Sequence, residues 1–106
     1  MTLLQPLFTD PFEVTLATTD NLPVTCDTTE LLQIGESPSN PVVTITGLPA
    51  PGVEVQGLAS PTIYQNLIIQ QVPGSLLYVG NFQVRWVFEA SPGVIWTVIT
   101  TIVVPV

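Results

Sequence analysis

A single cationic side chain, Arg85, set against eight carboxylates and no histidine, gives this 106-residue chain a formal net charge of −7. One arginine cannot form the basic stripe that phosphate recognition requires, so nucleic acid and anionic membrane surfaces are excluded as partners. Charged residues make up 8 % of the chain and hydrophobic ones 46 %, whereas a freely soluble surface is roughly 25–35 % charged; much of this surface is therefore expected to be covered by other protein.

The length allows one domain built on one core. The first residues hold Leu3, Leu4, Leu7 and Phe8 but are interrupted by Pro6 and Pro11, which disfavours a helix or a clean central strand. Residues 1–11 are expected to form an extended arm, docked on the edge of their own domain or on another subunit, and residues 12–106 the domain itself. Met1 to Pro6 also lack the basic region and long apolar stretch of a secretion signal, so export by that route is not expected.

Prolines and glycines then recur at short intervals, and the segments between them are rich in Val, Ile, Thr and aromatics with period-two alternation. The expected strands are Phe12–Ala17, Pro23–Cys26, Val42–Thr46, Val53–Gln56, Thr62–Val72 (bent near Gln65 and Asn66), Leu76–Val79, Phe82–Glu89 and Val94–Val104. Seven to eight short antiparallel strands read as an all-β fold, an immunoglobulin-like β-sandwich or a small barrel. Between the second and third strands, Asp27 with Glu30 three residues later and Gly35 beyond fits either a capped helical turn or a bulged edge strand.

The clearest element is the C-terminal hairpin. Phe82, Val84, Trp86 and Phe88 alternate with Gln83, Arg85, Val87 and Glu89, so the first set should face the core. The link Ala90-Ser91-Pro92-Gly93 is turn-forming. Val94, Trp96, Val98, Ile102 and Val104 then point one way, and Ile95, Ile99 and Val103 the other. Neither set is polar, so the second face is covered either by the N-terminal segment or by another chain.

Residues for chemistry are sparse. Without histidine or lysine the usual general bases are missing, and no enzymatic activity, cofactor or metal is expected. A lone cysteine, Cys26, allows no disulfide within the chain and reads as a small core residue. Asp20, Asn21, Asp27 and Glu30 have oxygens suited to calcium but lack a recognised ligand spacing, and solvated acidic loops explain them better. Tyr64, Tyr78, Trp86 and Trp96 could stack on sugars, anchor an interface, or fill the core. Arg85 pairs either with a carboxylate of its own chain, such as Glu89 or Glu54, or with one on a partner.

The run Gly80-Asn81-Phe82-Gln83-Val84-Arg85-Trp86-Val87-Phe88, followed by a Pro-Gly turn and a closing Thr/Val strand, resembles the final hairpin of immunoglobulin-like domains in tailed-bacteriophage virion proteins. The resemblance covers Gly80 to Val106. Those domains more often have tyrosine where Phe82 stands and a more charged closing strand. It implies a non-enzymatic virion protein, a capsid cement or decoration protein docked on the major capsid protein, that also forms homo-oligomers. A neck or tail component, or a surface module binding glycan or protein, is the alternative. The expected interface residues are Leu3, Leu4, Leu7, Phe8, Arg85, Ile95, Trp96, Ile99 and Val103.

Overall fold

Strict alternation from Phe82 to Glu89 produces a central strand buried on one face, and the remaining sheet is assembled around it. The structure, a computed structural model, describes the backbone of residues 5–15, 17–49 and 52–105, with side chains from Thr15 onward, Ser91 excepted. The strands are β1 (Gln5–Thr15), β2 (Asn21–Asp27), β3 (Ser39–Gly47), β4 (Thr62–Tyr64), β5 (Leu67–Pro73), β6 (Gly80–Ser91) and β7 (Val94–Val104). They form a four-stranded sheet in the order β1-β7-β6-β3 and a three-stranded sheet in the order β2-β5-β4. The described chain is all-β, without an α-helix.

The inner faces of the two sheets share one core, an arrangement consistent with a β-sandwich. Phe82, Val84, Trp86 and Phe88 of β6, Ile45 of β3 and Val98, Ile102 and Val104 of β7 meet Val24 and Cys26 of β2 and Ile68 and Val72 of β5. Each such side chain contributes about 1.5–3 kcal/mol through burial. The Trp86 indole N–H is buried with the ring and donates to the Thr100 hydroxyl at 2.9 Å, so its one polar atom is satisfied.

Several expected elements take other forms. Of the two placements expected for the N-terminal segment, the structure has the one on the edge of its own domain: β1 continues through residues 11 and 12 and pairs with β7 in parallel, so the sheet is not purely antiparallel. Its register slips between Gln5 and Phe8 and again between Thr9 and Glu13, the intervals that hold Pro6 and Pro11. Proline supplies no N–H to a ladder, which is why this strand lies at a sheet edge and is interrupted there. Leu3 and Leu4 fall outside the described residues.

The segment Val53–Gln56 forms one bridge, Glu54 with Thr46, rather than a strand; Gly57, at φ +87°, turns the chain away just beyond it. Leu76–Val79 is not a strand either. A 3₁₀ turn, Gly74–Leu76, precedes it, closed by the Leu77 N–H donating to the Gly74 carbonyl at 2.9 Å. Thr62–Val72 folds into the β4–β5 hairpin because Gln65 adopts φ +54°. The alternatives around Asp27 resolve to a 3₁₀ turn, Thr29–Leu31. Asp27 Oδ1 accepts from the Thr29 N–H at 3.0 Å and its hydroxyl at 2.6 Å.

Candidate docking surfaces

Because the even-numbered residues of β6 face the core, its odd-numbered residues lie on the outer face of the four-stranded sheet. The register gives three successive levels across this face: Thr44, Arg85 and Ile99; Val42, Val87 and Thr97; Ser39, Glu89 and Ile95. Val42 is 58 % and Ile95 49 % exposed, while Val87 is half-buried. Arg85 is exposed, and among the described residues it makes no ion pair.

Glu89 is engaged elsewhere. Its Oε1 accepts from the Asn40 side-chain amide at 3.1 Å and its Oε2 from the Gly93 N–H at 3.2 Å, tying β3 and the β6–β7 turn to one carboxylate. Glu54, exposed, sits beside the far end of β3 at its bridge to Thr46. Neither carboxylate is the intrachain partner of Arg85.

A second apolar surface forms at the end of the molecule where β3 stops and β6 begins. Gly47 is the pivot: its N–H donates to the Val53 carbonyl at 3.1 Å, and a Cβ there would overlap the Tyr78 hydroxyl. The Tyr78 ring packs edge-on against Phe82, with centroids 4.9 Å apart. Next along the chain, the Leu48 N–H donates to the Asn81 carbonyl at 2.9 Å. Leu48, Val53, Leu76, Tyr78 and Val79 are all exposed here, Val53 at 78 % and Tyr78 at 56 %. Residues 47–49, 52–57 and 74–81 hold one charged side chain, Glu54.

The interface residues expected from the sequence are distributed as follows. Arg85 and Ile95 lie together on the exposed outer face. Ile99 is on that face too but is already buried within the chain, at 8 % exposed, and Val103 is half-buried. Trp96 packs against the core from its margin. Leu7 and Phe8 belong to β1, with Phe8 at the register position of Val98. The N-terminal segment pairs along the edge of β7.

Other readings lose their geometry. Asp20 and Asp27 lie at opposite ends of β2, roughly 20 Å apart at a strand's rise per residue, so these two carboxylates do not converge on one cation. Each is used locally: Asp20 Oδ2 accepts from the Ala17 N–H at 2.9 Å, and the Thr29 hydroxyl and then its N–H hold the Asp27 carboxyl below its ordinary range. Among the described residues no three His, Cys, Asp or Glu side chains group to hold a metal. Tyr64 and Tyr78 lie beyond opposite ends of β5 and Trp86 is fully buried, so the aromatics form no common platform. Cys26 is buried on the inner face of β2. Among the described residues no helix is long and apolar enough to cross a membrane.

The apolar end was not foreseen. Tyr78 is far in sequence from Gly47 and Val53, and it meets them only because β3 and β6 are neighbours. Compared with known proteins, the chain matches no protein-family model, no curated protein and no solved structure.

Proposed function

We propose that this chain is a non-enzymatic structural subunit of a tailed-bacteriophage virion, an immunoglobulin-like domain that docks on the major capsid protein as a cement or decoration protein. The observation that carries this reading is the apolar end around Gly47, where Leu48, Val53, Leu76, Tyr78 and Val79 stand exposed with one charged neighbour. An aromatic side chain tipped with a hydroxyl, ringed by aliphatic ones, is the composition of an interface centre. Its backbone is fixed by the Gly47–Val53 and Leu48–Asn81 hydrogen bonds, so little order has to be gained on docking.

The immunoglobulin-like assignment is supported by strand order. One sheet of the immunoglobulin fold runs G-F-C and the other holds B, E and D. Numbered in chain order, β7-β6-β3 and β2-β5-β4 follow that pattern, with β1 added beside the last strand.

The test is co-sedimentation with shells assembled from the major capsid protein of the encoding phage. Saturable binding is expected, weakened about 10-fold or more by Tyr78→Ala or Val53→Asp. Binding to isolated tails or necks but not to shells would move the protein to that position in the virion. Binding to no virion component overturns the reading.

A further inference from the structure

We propose that the outer face of the four-stranded sheet is a two-fold interface with a second copy of this chain, centred on Val87. The surface is distinct from the apolar end, and the proposal stands whether or not that end docks on a capsid.

The argument begins from the spacing of charge. Arg85 and Glu89 occupy outward positions of the same strand, about 13 Å apart at a strand's rise per residue, with Val87 midway between them. Place a second copy face to face, related by a two-fold axis that lies between the sheets and crosses the strands at the level of Val87. The levels at Arg85 and Glu89 then exchange. Arg85 of each copy stands opposite Glu89 of the other, twice over, and Val87 stands opposite itself.

The remaining positions fit the same operation. The level of Val87 also holds Val42 and Thr97, and it meets its own copy. The level of Arg85 holds Thr44 and Ile99, and it meets the level holding Ser39 and Ile95. No like charges oppose each other among these positions, and the two most exposed aliphatic side chains of the face, Val42 and Ile95, are removed from water. Stacked sheets lie about 10 Å apart, a gap that an arginine and a glutamate span together. An isologous contact needs a patch complementary to itself, and this one is.

Glu89 is suited to the pairing. Each of its oxygens accepts one hydrogen bond inside the chain, and a carboxylate has about four acceptor sites in all, which leaves room for a guanidinium. The other carboxylates of this sheet are Asp10 and Glu13 on β1, Glu13 at the register position of Thr101. A charge-reversal rescue separates Glu89 from both.

Sedimentation velocity of the full chain up to millimolar concentration, with tryptophan fluorescence as the check on folding, tests the proposal. The wild type is expected to dimerise. Arg85→Glu should weaken the dimer about 10-fold or more, because each copy then opposes two carboxylates, and Glu89→Arg should weaken it likewise. The double variant R85E/E89R should restore it. Ile95→Asp, at a position with no side-chain hydrogen bond, should weaken dimerisation without touching the turn that Glu89 holds. A wild type that stays monomeric overturns the proposal and leaves capsid co-sedimentation to be judged separately. A dimer indifferent to Arg85→Glu and Ile95→Asp, or folded single variants that the double reversal fails to rescue, overturns it as well.

Discussion

The two sheets supply one core with unequal means. The four-stranded sheet brings the large side chains, Trp86, Phe82 and Phe88, all from β6 and all fully buried. The three-stranded sheet answers with Val24, Cys26, Ile68 and Val72, and with an amide, Gln70, that is 1 % exposed. Gln70 Nε2 donates to the Ala59 carbonyl at 2.8 Å and the Gln71 carbonyl at 3.0 Å, while its buried Oε1 has no hydrogen-bond partner among the described residues. One sheet is therefore a source of apolar volume. The other is a lid without buried aromatics that also straps down a neighbouring loop.

This contrast can be broken most directly by Trp86→Ala, expected to cost about 3–5 kcal/mol against about 0.5–1.5 kcal/mol for Ile68→Val. Urea denaturation measures both. Trp86→Ala also strands the Thr100 hydroxyl, which is 3 % exposed at the residue level and accepts from the indole. Equal costs for the two substitutions would show that the sheets share the core evenly.

Gln70→Ala comes next, at about 1–3 kcal/mol, through loss of the strap to Ala59 and the small void left behind. Hydrogen exchange should quicken in the segment from Gly57 to Pro61 while β6 stays protected. A uniform loss of protection would place Gln70 in the core's general packing instead.

The smallest effect lies at the rim of the three-stranded sheet. The Thr29 hydroxyl and then the Thr29 N–H lower the Asp27 pKa, so the folded state holds its proton less tightly than the unfolded one. The stability this supplies is complete above the unfolded carboxylate range and is lost as pH falls through the lower, folded value. Thermal melts between neutral and strongly acidic pH should therefore show a shallower acid-side decline for Asp27→Asn than for the wild type. Identical slopes would assign that decline to other carboxylates.

The contrast between sheets also marks what a sequence reveals. β6 was legible residue by residue, because alternation at period two assigns Phe82, Val84, Trp86 and Phe88 to the inside without knowledge of any neighbour. β7 was legible as a strand and as the partner of β6, yet the shielding of Thr97 and Ile99 on its outward side depends on strands beside it. Val53–Gln56 and Leu76–Val79 carried strand-like composition but lay next to Gly52, Gly57 and Gly74, whose turns cut the ladders short. Gly52 shows the reason most plainly: a Cβ there would overlap the Gly47 carbonyl, so the backbone itself occupies the space a longer ladder would need.

Among the proposed surfaces, Arg85 and Ile95 followed from alternation alone. Val42 and Val87 were not singled out, since an outward valine in a polar row carries no local signal, and only the β3–β6 register sets the two side by side. The apolar end was illegible for a stronger reason. Its members come from the loops after β3 and before β6, and nothing in either loop specifies the other.

The carboxylate of Glu89 is held by Asn40 on one side and by the Gly93 N–H on the other. Freezing a glutamate side chain typically costs up to about 1.5–2 kcal/mol of rotamer freedom. Here that loss is incurred when the hairpin folds rather than when a partner arrives. A cation that meets Glu89 therefore finds an acceptor already aimed, and the entropic burden of the encounter falls on the cation alone.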